Sequence, residues 1–227
     1  MTTKVITIDT NILKKNAISA AENRTLFKKH KVLAINLLSS PGSGKTTLLV
    51  QTCKSFTNKL NLSVSVGDLQ TEVDALRIAE SGVPVVQINT GTACHLDANM
   101  VQQSFSSLPL EGTDILFIEN VGNLVCPATF DLGEHLKVVL LSVAEGEEKP
   151  LKYPPIFQGA DCVCINKVDL LPYVDFDMQQ CRHNLKRICP QAVVFEFSCK
   201  TGDGLSKWYD WLKNQWSAAF KASYINR

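Results

Sequence analysis

The stretch Val32-Leu33-Ala34-Ile35-Asn36-Leu37-Leu38-Ser39-Ser40-Pro41-Gly42-Ser43-Gly44-Lys45-Thr46-Thr47-Leu48 decides the fold. An apolar run of strand length stops at a loop with two glycines, and Gly-Lys-Thr then opens a helix-like segment. That strand–loop–helix context is what a phosphate cradle requires. Loop N–H groups converge on the β-phosphate, and the following helix adds its positive N-terminal dipole. Lys45 would sit as a point charge between β- and γ-phosphates, and the Thr46 hydroxyl is placed to ligate Mg²⁺. Ser39 stands where the strict pattern has its first glycine, but Gly42 and Gly44 still allow close backbone approach. Gly42, Ser43, Gly44, Lys45, Thr46 and Thr47 are therefore the phosphate-binding candidates.

A second motif selects the base. The strand-like run Ala160-Asp-Cys-Val-Cys-Ile ends in Asn166-Lys167-Val168-Asp169. Guanine presents N1–H and its exocyclic amine side by side, and one Asp169 carboxylate can accept from both. Adenine lacks that pair of donors and would leave the carboxylate unsatisfied. Asn166 is expected at the other edge of the base, with the Lys167 stem packed over the ring. Further on, Val193-Val-Phe-Glu-Phe197 leads into Ser198-Cys199-Lys200, which resembles the loop by which GTPases offer a backbone N–H to guanine O6. The nucleotide is read as GTP.

Strands are expected near 32–38, 62–67, 84–89, 114–119, 137–143, 161–165 and 192–197, and helices near 11–28, 45–58, 71–80, 92–106, 175–188 and 203–222. Such alternation predicts an α/β fold: a mainly parallel sheet of about seven strands with helices on both faces. Ligands of such sheets bind beyond the carboxyl ends of the strands, where both motifs fall. Residues 1–30 read as an amphipathic helical lead-in, and residues 31–227 as the P-loop GTPase domain.

With 227 residues, 45% of them hydrophobic, one domain can build a substantial core. Lys and Arg total 23 against 22 Asp and Glu, a balance that offers nucleic acid or an anionic membrane no electrostatic footprint. The start Met1-Thr-Thr-Lys-Val-Ile-Thr-Ile-Asp has no apolar signal core, and no run has the length of a membrane span, so a cytoplasmic protein is expected. Eight cysteines are then read as thiols or metal ligands. Cys162 and Cys164 share a strand face and are expected in the core, as are Cys53 and Cys189. Cys181 and His183 lie two apart in a helix-like segment and point different ways, which makes them poor joint ligands.

Between the nucleotide motifs lie two strands that end in loops: Pro84-Val-Val-Gln-Ile-Asn-Thr90-Gly91-Thr92-Ala93-Cys94-His95-Leu96-Asp97, and Asp114-Ile-Leu-Phe-Ile-Glu119-Asn120-Val121-Gly122-Asn123-Leu124-Val125-Cys126-Pro127. Cys94, His95 and Cys126 should emerge on the nucleotide face, and thiolate with imidazole suits Zn²⁺ or Ni²⁺ far better than Mg²⁺. Adjacent Cys94 and His95 diverge on a regular strand, but a loop or a first helical turn capped by Thr92 would let both reach one ion.

Ser39–Leu48, Gly67–Ala75, Thr90–Asp97, Glu119–Pro127, Leu141–Pro154 and Asn166–Leu170 together closely resemble the HypB family, GTPases that assist nickel insertion into [NiFe] hydrogenase. The likeness runs from about residue 30 over nearly the whole chain. It implies a SIMIBI-class G domain, GTP-linked homodimerisation, and a nickel or zinc site of Cys94, His95 and Cys126 near the dimer interface. It also implies two partners, a HypA-type nickel protein and the hydrogenase large-subunit precursor. The N-terminal cysteine motif and histidine-rich tract of many members do not stand in this sequence, so no high-capacity nickel store is expected. The Cys-Pro-His motif of the sister urease GTPases does not occur either. A GTPase for another metalloenzyme, and a metal store or sensor with a vestigial nucleotide site, are the alternatives.

Glu119 and Asp68, each at a strand end, are the candidates to join Thr46 around Mg²⁺, and with Lys45 they form the expected catalytic set. Gly122 is the expected γ-phosphate contact. Asp74 is a candidate for positioning water, and Lys149 for a phosphate contact. Gly122 is followed by Asn123, not by the glutamine that orients attacking water in Ras-like proteins, so slow intrinsic hydrolysis is expected. Cys126 shares a segment with Gly122, so loss of the γ-phosphate is expected to move Cys126 relative to Cys94 and His95.

Overall fold

A computed structural model describes residues 8–68 and 72–220. Seven strands, β1 (Leu33–Ser39), β2 (Leu62–Asp68), β3 (Val85–Asn89), β4 (Ile115–Glu119), β5 (Leu136–Ser142), β6 (Cys162–Asn166) and β7 (Val193–Glu196), form one sheet in the order β3-β2-β4-β1-β5-β6-β7. Every pairing is parallel. The expected fold class is the observed one.

A central parallel strand is buried on both faces, so it needs apolar residues at successive positions. In β1, Leu33, Ile35 and Leu37 face one layer, with α2 (Lys45–Phe56), α3 (Val73–Ala79) and α8 (Leu205–Phe220) above them. Ala34 and Leu38 face the other. There α1 (Ile8–His30) and α4 (Ala98–Ser104) cover one half, and α6 (Pro154–Gln158) and α7 (Met178–Ile188) the other. Trp208 of α8 is fully buried, and its indole N–H donates to Thr52 Oγ1 of α2 at 3.0 Å. Cys162 and Cys164 lie in this first layer, and Cys53, Cys181 and Cys189 are also buried. Burial pushes the Cys53 thiol up to about 11 and that of Cys181 to about 12.

The lead-in docks on its own chain. Phe27 of α1 is buried, and Asn23 donates to the carbonyls of Ala98 and Leu132, both at 2.9 Å. Residues 1–7, part of that lead-in, lie outside the described residues, as do Thr71 of the expected helix 71–80 and residues 221 and 222 of the expected helix 203–222.

One expected helix is shorter for a definite reason. Residues 92–97 form a loop, and α4 begins only at Ala98, where Asp97 accepts the Met100 N–H at 2.7 Å. The cap is Asp97, not Thr92: its extended backbone and short carboxylate satisfy an orphan N–H of the first turn. Two short helices, α5 (Lys149–Lys152) and α6, were not expected; each has a proline in its first positions, where the missing N–H costs nothing.

The sheet order fixes the site. β1 lies between β4 and β5, and chain direction across the sheet reverses there. The register pairs Leu37 with Glu119 and Ser142 with Asn166, so the P-loop, the β4 end and the base motif open onto one edge.

Candidate functional site

Gly42 and Gly44 have φ of +73° and +105°, which bend the loop around a cavity of about 490 Å³. At Gly44 a Cβ would stand 2.4 Å from Asn166 Nδ2, so only glycine fits. Lys45 Nζ donates to Ser39 Oγ at 2.7 Å. The serine in place of the first glycine therefore holds the lysine. Ser43 Oγ donates to Glu145 Oε1 at 2.6 Å, and the same oxygen accepts the Ser142 N–H at 3.1 Å, bracing the loop against β5.

Thr46 Oγ1 donates to Glu119 Oε1 at 2.8 Å, while the buried Glu119 Oε2 has no partner among the described residues. Burial pushes the Glu119 carboxyl up to about 7 against the pull of Lys45, and burial lowers Lys45 in turn. A buried orphan oxygen beside a threonine hydroxyl, with Asp68 on the same cavity, fits a hard divalent cation. Asp74 and Gly122 also line this cavity. A Cβ at Gly122 would stand 2.9 Å from Pro41 Cα, so the loop after β4 rides directly on the P-loop.

The base end is tied together by its own side chains. Asn166 is buried; its amide donates to the Ser43 carbonyl at 2.9 Å, and its oxygen accepts the N–H groups of Lys167 at 2.7 Å and Cys199 at 3.1 Å. It ties three loops together and keeps one amide hydrogen for a ligand, so it scaffolds the site in addition to the expected place at the base edge. The N–H groups of Cys199 and Lys200 turn to Asn166 Oδ1 and to Ser198 Oγ, at 3.1 and 3.2 Å, not outward to a guanine oxygen. Ser198 Oγ donates to Asp169 Oδ1 at 2.6 Å, which aims the carboxylate. Lys167 has a left-handed backbone (φ 65°) and reaches the Gly42 carbonyl at 2.7 Å, closing the base end of the P-loop. Lys149 is not among the residues that line the cavity, and its ammonium lies 5.3 Å from the centre of the Tyr153 ring.

Cys94, His95 and Cys126 have ligand atoms within 4.8 Å of one another, all half-buried. The two sulfurs are 2.7 Å apart, and Cys94 Sγ lies 3.9 Å from His95 Nδ1. Cys94 and His95 stand in the loop before α4, which removes the divergence of a regular strand, and Cys126 opens a short 3₁₀ turn. The His95 ring stacks on Phe130 at 3.8 Å. Three soft donors at one point suit a borderline transition ion.

Two residues connect the metal and nucleotide sites, and the sequence reading singled out neither connection. Asn120 is buried; its oxygen accepts the N–H of Leu96 at 3.1 Å and that of Val121 at 3.0 Å. Asn123 donates to the Cys94 carbonyl at 3.4 Å and accepts the Val125 N–H at 2.8 Å. The available signal was Glu-Asn-x-Gly at a strand end, where an amide side chain can serve its own turn. Glu145 had no signal to separate it from Glu147 and Glu148.

Residues 33–196 match the model of the CobW/HypB/UreG nucleotide-binding domain. The hydrogenase maturation factor HypB of Rhizobium leguminosarum bv. viciae is 52% identical over 210 residues, which span 92% of this chain and 70% of that protein. The chain belongs to the HypB family. Crystal structures agree. HypB from Helicobacter pylori, solved in complex with nickel, is 41% identical with a TM-score of 0.86, over 91% of this chain and 97% of that one. HypB from Archaeoglobus fulgidus is 37% identical with a TM-score of 0.84, over 89% and 99%. The family is one of P-loop GTPases, which agrees with the phosphate cradle of this HypB-family chain.

Proposed function

We propose that this HypB-family chain is a GTP-hydrolysing metallochaperone that binds nickel or zinc and assists nickel insertion during [NiFe] hydrogenase maturation. One observation carries the reading: Cys94, His95 and Cys126 converge within 4.8 Å, and Cys126 lies on the segment after β4 whose Asn120, Val121 and Gly122 line the nucleotide cavity. The nickel complex of the Helicobacter pylori relative supports nickel as cargo.

Lys45 and the P-loop N–H groups hold the phosphates, and Asp169, aimed by Ser198, selects guanine. Thr46 and Glu119, with Asp68, would hold Mg²⁺, which supplies charge neutralisation on the β- and γ-oxygens when bound. Asn123 is held by the Cys94 carbonyl and the Val125 N–H and does not line the nucleotide cavity, so it is not placed to orient water, and turnover is slow. Three protein donors leave a fourth metal position for water or a residue of another subunit. A metal-bridged homodimer follows, handing nickel from a HypA-type protein to the large-subunit precursor. No helix among the described residues is long and apolar enough to cross a membrane, and the near-zero net charge suits a cytoplasmic role without nucleic acid.

The test is to measure GTP hydrolysis and nickel binding on one preparation, and hydrogenase activity in a deletion strain. Slow hydrolysis, stoichiometric nickel binding and rescue of the strain by excess nickel support the reading. Hydrolysis without nickel binding would leave an ordinary GTPase.

A further inference from the structure

We propose that Arg77 is the catalytic cation of the hydrolytic step, meeting the charge that develops on the terminal phosphoryl group, and that its ion pair with Asp74 stores it at the cavity wall until GTP arrives. The proposal rests on the GTPase reading above and adds a residue that the sequence motifs did not mark.

Among the described residues, three cationic side chains line the nucleotide cavity: Lys45, Lys167 and Arg77. The first two are committed to the P-loop, through Ser39 Oγ and the Gly42 carbonyl, both at 2.7 Å. Lys167 stands at the base end, away from the bond that breaks. Arg77 comes from α3, a different element, and so approaches independently of the loop. Its Nη1 lies 3.5 Å from Asp74 Oδ1, and both side chains are substantially exposed, at 49% and 40%. A pair that long and that open is easily exchanged for a phosphate oxygen.

Asp74 locates the pair at the reacting end. It and Arg77 line the same cavity as Lys45, Thr46 and Glu119, the groups around the β- and γ-phosphate positions, and its charge bears on both Lys45 and Glu119. The usual glutamine helper is replaced by Asn123, which is turned to the Cys94 carbonyl and the Val125 N–H and does not line the cavity. Hydrolysis joins the water oxygen to the γ-phosphorus as the bond from that phosphorus to the β,γ-bridging oxygen breaks. The bonding pair stays on the bridging oxygen, now terminal in GDP, and the water proton leaves to Asp74 and then to inorganic phosphate. Negative charge therefore grows on the bridging and equatorial oxygens, where a guanidinium can bind two of them at once. Releasing Arg77 to the phosphate frees the Asp74 carboxylate to accept from the water. One exchange arms both groups.

The experiment uses the full chain and compares wild type with Arg77→Ala, Arg77→Lys and Asp74→Asn. It reads single-turnover GTP hydrolysis, GTP and GDP affinity, and capture of GDP with aluminium fluoride, a mimic of the flattened phosphoryl group. Arg77→Ala is expected to slow hydrolysis about 100-fold and abolish aluminium fluoride capture, with GDP affinity changed by less than about 3-fold. Arg77→Lys should recover part of the rate, and Asp74→Asn should slow hydrolysis while retaining capture. If Arg77→Ala does not fold, the lysine variant decides through its loss of capture. Wild-type hydrolysis and capture in Arg77→Ala, or an equal loss of rate and GDP affinity, would overturn the proposal. Failure of the wild-type protein to bind GTP would instead remove the GTPase reading on which it rests.

Discussion

Asn120 Oδ1 accepts the backbone N–H of Leu96 at 3.1 Å, and Leu96 is the residue after the metal-ligand candidate His95. The same oxygen accepts the N–H of Val121, next to Gly122, the proposed γ-phosphate contact. Its amide donates to Asn36 Oδ1 at 3.3 Å, and Asn36 donates to Glu134 at 3.2 Å, so the fork is anchored in the sheet. A shift of the Gly122 loop on Pro41 therefore reaches the metal loop through one side chain. Asn120→Ala leaves two buried N–H groups without acceptors, and should destabilise the protein by about 1–3 kcal/mol for each. Thermal unfolding checks that loss. Nickel titration in both nucleotide states should show the affinity difference between them shrinking in the variant.

Cys126→Ala removes one of the three proposed donors while leaving the P-loop untouched. Nickel affinity should fall by more than the roughly 10–100-fold typical of second-shell losses, with GDP affinity unchanged. Parallel calorimetric titrations with nickel and with GDP give both numbers. A parallel loss of GDP binding would mean that Cys126 supports the nucleotide loop and not the ion.

Asp169→Asn replaces the double acceptor that Ser198 aims at the base. Guanine nucleotide affinity should drop by about 10⁴-fold, because the amide presents a donor where guanine has donors. Xanthine, which carries a carbonyl in place of the exocyclic amine, should gain affinity in the variant. Competition binding with GDP and xanthosine diphosphate measures the exchange.

His135 supplies a pH dependence away from both sites. Its Nδ1 accepts the Ala34 N–H at 3.1 Å, which requires a neutral ring, and burial, helped by Arg24, lowers its pKa below the ordinary 6.5. The unfolded chain thus takes up this proton at higher pH than the folded one. The contribution is complete above the ordinary value, and stability falls as pH drops through 6.5 toward the depressed folded value. His135→Asn keeps an acceptor but cannot titrate, so the wild-type loss relative to the variant should open in that window. Denaturant unfolding of both proteins from pH 8 to 5 tests it.

What could be read from the residues follows from range. The sheet was legible because β1 and β6 are apolar runs that end in phosphate and base motifs, and spacing alone places those at strand ends. Cys94, His95 and Cys126 were legible as residue types, but their meeting depends on the loop before α4, which Asp97 fixes by capping the helix late. The roles of Asn166 and Asn120 were not legible: an asparagine at a strand end looks the same whether it faces a ligand or a neighbouring loop. Only the parallel register, which brings Ser43 and Cys199 to Asn166, decides that. Arg77 was missed because a helical arginine three residues from an aspartate reads as an ordinary surface pair.

The linkage between phosphate and ion is tested most directly by titrating nickel into the full chain saturated with GDP and, separately, with a non-hydrolysable GTP analogue. The account predicts clearly different nickel affinities, with the same ratio recovered when nucleotide is titrated into nickel-loaded and nickel-free protein. Equal nickel affinities in the two nucleotide states would contradict it.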